Sequence, residues 1–251
     1  MQQQTILETR QLFREFSGFV AVNGVSLNVR QGSIHGLIGP NGAGKTTVFN
    51  LLTKFLLPTS GTILYRGEDI TRDRPARVAR RGLVRSFQIS SIFPHMTVLE
   101  NVRVALQRKL GNSFQFWRSR RSLARLDDRA MEILGSVELA DLAHLHASEL
   151  PYGRKRALEF ATTLALEPEL MLLDEPTQGM AHEDVGRVVA LIRKVASGRT
   201  ILMVEHNLSV VEDLCDTITV LQRGAVLAEG TYREVSANPQ VLEAYVGVAD
   251  E

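Results

Sequence analysis

Residues 39–46 read GPNGAGKT, the G-x-x-x-x-G-K-[ST] spacing of a phosphate-binding loop. The stretch before it, Ser33 to Ile38, is short and apolar and reads as a strand. The stretch after it, Lys45 to Phe55, sets Val48, Leu51, Leu52 and Phe55 on one side at helical spacing. Strand, glycine-rich loop and helix start, in that order, are the context phosphate binding needs. Glycine lets the backbone turn its N–H groups inward around an anion, and the helix end adds its dipole. On this reading Gly39, Pro40, Asn41, Gly42, Ala43, Gly44, Lys45, Thr46 and Thr47 form the binding loop. Lys45 reaches the β- and γ-phosphates, and the Thr46 hydroxyl binds Mg²⁺. A glycine-rich turn beside a chance lysine would leave the flanking strand and helix without a purpose.

Working outward, residues 170–175 read LMLLDE, an apolar strand closed by two acids. Buried strands rarely end on paired carboxylates. With a phosphate loop in the same chain, Asp174 is a candidate Mg²⁺ ligand and Glu175 a candidate base for an attacking water. Gln88, at the end of SFQ, is a candidate for contact with both the metal and that water. His206, at the end of the apolar run in MVEHN, suits a γ-phosphate contact. Taken singly, the glutamine is an ordinary polar residue and the histidine an ordinary structural one.

Strand patterns run over Ile6 to Phe16 and Val20 to Val29, between Gly61 and Arg66, and again at Leu170 to Leu173, Thr200 to Val204 and Thr217 to Leu221. Between about Ile89 and Leu166 helical stretches take over, at Thr97 to Lys109, Ser122 to Ser136 and Gly153 to Leu166. Glu183 to Ala196 and Leu208 to Leu214 are helical as well. The pattern predicts an α/β core with a helical insertion: residues 1–88 and 167–235 as core, 89–166 as insertion and 236–251 as a C-terminal tail. Within the insertion, RSRRSLAR (Arg118 to Arg125) reads first as a solvated helix face, with a lipid or partner contact as the lesser alternative.

Bulk properties exclude other classes. The chain has 251 residues, 44% hydrophobic and 23% charged, the balance of an ordinary globular protein. A net charge of +1 supplies no field for nucleic acid or an anionic membrane. The single cysteine, Cys215, forbids an internal disulfide and fits a reducing compartment. MQQQTILETR lacks the pattern of a signal peptide, and no apolar run nears the roughly 20 residues that span a bilayer.

These elements together resemble the ATP-binding cassette (ABC) ATPases over essentially the whole chain. The resemblance implies a P-loop NTPase core with an antiparallel β subdomain and an inserted α-helical subdomain. It implies ATP and Mg²⁺ as ligands, Phe16 as the aromatic stacked on adenine, and His206 as the switch histidine beside Glu175, Gln88 and Asp174. Residues 150–154, LPYGR, stand at the family's signature, usually L-S-G-G-Q. In that family two cassettes pair head to tail, and each signature caps the ATP held by the other. Pro151, Tyr152, Gly153 and Arg154 are thus a partner-site signature in which serine, glycine and glutamine have become Pro151, Tyr152 and Arg154. Arg154 is a candidate replacement for the lost hydroxyl. In EPTQGMA the family's Asp or Asn is Ala181.

RRGLVRSFQ, SSIFPHMTVLENV, L-x-YG and NPQVLEAYVG resemble a narrower group, the ATPases of bacterial branched-chain amino-acid importers. That resemblance implies a second ABC ATPase subunit, two permease subunits and, indirectly, a periplasmic solute-binding protein as partners. It places the chain peripherally at the cytoplasmic face of the inner membrane, with no nucleic-acid partner. The segment holding Ile92, Phe93 and Met96 is then a candidate permease contact, with buried packing inside the insertion as the equal alternative. The alternatives are a lipopolysaccharide or lipid exporter ATPase and, further off, a soluble non-transport ABC ATPase.

Overall fold

The computed structural model describes residues 4–86, 92–107, 126–180 and 182–246. Gln88, Ala181 and the basic run Arg118 to Arg125 lie outside the described residues. The strands among them are β1 (Thr5–Phe16), β2 (Phe19–Val25), β3 (Asn28–Arg30), β4 (Ile34–Ile38), β5 (Ser60–Tyr65), β6 (Glu68–Asp69), β7 (Leu83–Ser86), β8 (Leu170–Asp174), β9 (Thr200–Val204), β10 (Thr217–Gln222) and β11 (Ala225–Gly230). The helices are α1 (Lys45–Leu52), α2 (Pro75–Arg80), α3 (Val98–Gln107), α4 (Asp127–Ser136), α5 (Tyr152–Leu164), α6 (His182–Ala196), α7 (Leu208–Leu214), α8 (Tyr232–Ser236) and α9 (Pro239–Val246). Described residues within 1–85, 169–178 and 196–251 form one compact unit, and those within 86–168 and 179–195 a second.

The first unit carries two sheets. One has the order β2-β1-β5-β6, with β3 also on β1, and its pairs are antiparallel. The other has the order β11-β10-β4-β9-β8-β7. Within it β10, β4, β9 and β8 run parallel to one another, while β11 pairs antiparallel with β10. Every residue of β4, β8 and β9 is buried, as expected of parallel strands covered on both faces. Leu37, Val48, Phe49, Leu172 and Leu202 join one cluster of buried side chains. Cutting such a leucine to alanine costs about 2–5 kcal/mol, so the frame under the strand ends is stiff.

The sequence pattern predicts a strand over Val20 to Val29 broken at Gly24, but β2 runs through Gly24 and the break falls at Ser26 and Leu27. Thr9 supplies the reason. Its hydroxyl donates to Val25 O at 3.0 Å and accepts from Leu27 N at 2.9 Å, taking the place of a ladder bond. The strand β11 and the helices α8 and α9 lie beyond the elements predicted from periodicity.

In the second unit α3 packs against α4 and α5. Val98, Leu99, Val102 and Leu106 form the buried stripe of α3, and Ile133, Leu134, Leu158 and Ala161 are buried on the other two helices. Among the described residues, no helix is long and apolar enough to cross a membrane.

Candidate functional site

The C-terminal ends of three adjacent parallel strands build the site, which is where open α/β sheets bind ligands. Strand β4 runs into the glycine loop, β8 ends on Asp174 and β9 leads to His206. Two glycines are forced by close approach. A Cβ on Gly39 (φ 148°) would sit 2.2 Å from Leu221 O, and one on Gly44 (φ 101°) would sit 2.5 Å from Ala21 O. Gly39 also makes a backbone hydrogen bond to the phenol oxygen of Tyr245, whose pKa burial pushes up to about 12.

Lys45 is 6% exposed. Its Nζ donates to Gly39 O at 2.7 Å and Pro40 O at 2.8 Å, which holds the ammonium over its own loop. Burial lowers its pKa, and the nearby carboxylates of Glu175 and Asp174 oppose that shift. The ammonium therefore lies close enough to both carboxylates to interact with them.

Glu175 adopts φ 47°, a left-handed conformation that side-chain-bearing residues rarely hold without surrounding support. Its N–H donates to Val204 O at 2.9 Å, tying the end of β8 to the end of β9. Across that tie, His206 Nε2 lies 2.8 Å from Glu175 Oε1. An ionised carboxylate only accepts, so Nε2 carries the proton of this bond. The imidazole thereby orients the carboxylate.

Asp174 is 2% exposed and its Oδ2 pairs with Arg85. Arg85 also donates to Asn50 Oδ1 at 2.7 Å, and its guanidinium lies 5.7 Å from the centroid of the Phe49 ring. The sequence reading did not single out Arg85, because nothing in its local pattern points to a partner 89 positions away.

A cleft of about 270 Å³ opens over the loop. Asn41 to Thr47, Glu175 and His206 line it, joined by Phe19 and Ala21. Phe16 is not in that lining. It pairs with Phe19 across the tight turn at Ser17 and Gly18, and the Arg14 guanidinium lies 4.4 Å from the centroid of its ring. Phe19, 66% exposed, is the aromatic at the cleft. An exposed aromatic on a hairpin tip is the signal that marks it. Thr46 and Asp174 are hard oxygen donors beside Lys45, the donor chemistry Mg²⁺ takes together with phosphate oxygens and water.

The signature stretch lies in the second unit. Leu150 is buried and Pro151 is the N-cap of α5, with Lys155 N donating to Pro151 O at 2.9 Å. A proline N–H is not needed there. Tyr152 is exposed. A Cβ on Gly153 would lie 3.4 Å from Asp184 Oδ1. The guanidinium of Arg154 donates to Glu138 O at 2.6 Å, and Arg156 pairs with Glu159 at 2.6 Å. Two of the three cations at this helix start are therefore engaged within their own unit.

Residues 22–178 match the ABC transporter family, and residues 225–251 match a family described as branched-chain amino acid ATP-binding cassette transporter. The high-affinity branched-chain amino acid transport ATP-binding protein BraF of Pseudomonas aeruginosa is 41% identical over 251 residues, covering 97% of this chain and 98% of that one. The corresponding protein LivG of Escherichia coli K12 is 39% identical, covering 98% and 99%. A crystal structure of the ADP conformation of an ATP-binding cassette from an ABC transporter superposes with a TM-score of 0.85 at 30% identity, covering 97% of this chain and 99% of that one.

Proposed function

The chain belongs to the ABC transporter family, and from that membership we propose that it is the ATP-binding and ATP-hydrolysing subunit of an importer for branched-chain amino acids or closely related solutes. The observation that carries the hydrolytic role is the 2.8 Å contact between Glu175 and His206 at the mouth of the loop that holds Lys45. The solute class follows the relatives that match over nearly the full length, and the C-terminal match at residues 225–251 points the same way.

Each side chain has a defined task on this reading. The loop N–H groups and the Lys45 ammonium bind the β- and γ-phosphates of ATP. Phe19, with Phe16 behind it across the hairpin, supplies an apolar wall for the nucleoside. Thr46 and Asp174 hold Mg²⁺, which when bound neutralises charge on the phosphates. Arg85 keeps the Asp174 carboxylate aimed. Glu175 accepts the proton of the attacking water, and His206 fixes the carboxylate for that transfer.

The remaining partners belong to the same proposal: a second cassette whose signature caps this ATP, a pair of permeases, and a peripheral position at the cytoplasmic face of the membrane. Asn101, 2% exposed, accepts from Phe93 N at 2.6 Å and donates to Phe93 O at 3.1 Å. That brace presents the 48% exposed Phe93 ring outward, as a permease contact requires. The test is uptake of radiolabelled leucine by cells that depend on this chain. Lys45→Ala should abolish uptake with the transporter still assembled. Unchanged uptake would reject the assignment.

A further inference from the structure

Glu205 stands between β9 and α7 and is 3% exposed. Its carboxylate accepts four hydrogen bonds. Oε1 takes the Thr177 backbone N–H at 2.9 Å and the Thr177 hydroxyl at 2.6 Å. Oε2 takes the backbone N–H groups of His206 at 3.0 Å and Asn207 at 3.3 Å. Asn207 in turn caps α7 through its own side chain, accepting from Ser209 N at 3.1 Å. The other segment is equally closed, with Gln178 N donating to Glu175 O at 3.1 Å.

The two segments joined in this way are the two that carry the reacting pair. The turn after β8 carries Glu175, and the turn after β9 carries His206. Two oxygens of one rigid carboxylate, each holding two donors, fix the distance between those turns. No neutral side chain accepts four hydrogen bonds on two oxygens in this geometry, and bonds to a charged acceptor are the stronger kind. We infer that Glu205 is a positioning residue for ATP hydrolysis, clamping the turn at Thr177 to the backbone of His206 so that Glu175 and His206 stay in register. The inference rests on the hydrolytic role proposed above for Glu175.

The substitution Glu205→Gln is isosteric, but its amide must turn an NH₂ group toward two N–H donors or toward Thr177. Thr177→Val removes one donor from the other side of the clamp. In the assembled transporter, Glu205→Gln should lower kcat for ATP roughly ten- to a hundredfold, with KM and the dissociation constant for ATP moving less than about twofold. The phosphate loop is left untouched, which is why binding should hold. Thr177→Val should lower kcat in the same sense and add little on top of Glu205→Gln, because both break the same clamp. Thr177→Ser keeps the hydroxyl and should restore most of the rate lost in Thr177→Val. An unchanged kcat in Glu205→Gln overturns the inference. So does a kcat loss matched by weaker ATP binding, which marks a general folding defect. Glu175→Gln measured in parallel separates the two readings. If it keeps turnover while Glu205→Gln loses it, the base assignment falls and the clamp acts through His206. If it loses turnover while Glu205→Gln keeps it, the clamp falls and the base stands.

Discussion

Replacing Arg85 by methionine keeps most of the aliphatic stem and removes the guanidinium with its charge. In the structure that guanidinium is the cation paired with Asp174, and the two side chains are 10% and 2% exposed. Breaking a buried pair from one side leaves an uncompensated charge and costs about 3–5 kcal/mol. Lys45 lies close enough to interact with the same carboxylate, so the lower end, about 3 kcal/mol, is the expected loss. Against a total stability of about 5–15 kcal/mol that is a large fraction, and for a chain of this size it lowers the thermal midpoint by roughly 6–12 °C. Urea unfolding of Arg85→Met, Asp174→Asn and the double variant isolates the pair. In the Asp174→Asn background the arginine should be worth no more than about 1 kcal/mol, because its carboxylate partner is gone and the guanidinium is then the buried charge left without one. A loss below about 1 kcal/mol in the single variant, or an equal loss in both backgrounds, would show that Arg85 does not hold Asp174 in the way described.

Two further outcomes follow from the same geometry. Gly39→Ala places a Cβ 2.2 Å from Leu221 O and should weaken ATP affinity at least about tenfold in a direct binding titration; wild-type affinity would mean that the loop has slack. His35 is 1% exposed, with Nε2 2.8 Å from Thr219 Oγ1, and burial first, then Arg30, lowers its pKa from 6.5 to about 4. The unfolded chain therefore binds the extra proton between those values, so stability is full above pH 6.5 and falls as pH drops toward 4. From pH 7.5 to 5 this histidine should remove about 2 kcal/mol, and urea unfolding of His35→Gln should lack that part of the pH dependence.

The phosphate loop and the acids ending β8 were legible because their signals are local: glycine spacing, an apolar strand before the loop and charge at a buried strand end. The same logic reaches Glu205, which follows the fully buried strand β9 as Glu175 follows β8, one position before His206. Arg85 and Tyr245 carry no such mark. Arg85 meets Asp174 across 89 positions, and Tyr245 reaches Gly39 from the C-terminal helix, so only the folded chain brings them to the site. The break between β2 and β3 was hidden for a related reason, since the hydroxyl that spans it belongs to Thr9 on another strand. At LPYGR the sequence placed Arg154 at a helix start, but could not reveal that it already has a partner at Glu138.

The central claim is that Glu175, held by His206, takes the proton from the attacking water. Single-turnover hydrolysis and ATP binding of Glu175→Gln in the assembled transporter test it most directly. The amide keeps the shape of the side chain but cannot take up that proton. ATP affinity should stay within about threefold of wild type, while the hydrolytic rate falls at least about a hundredfold. Hydrolysis near the wild-type rate with ATP still bound would contradict the account.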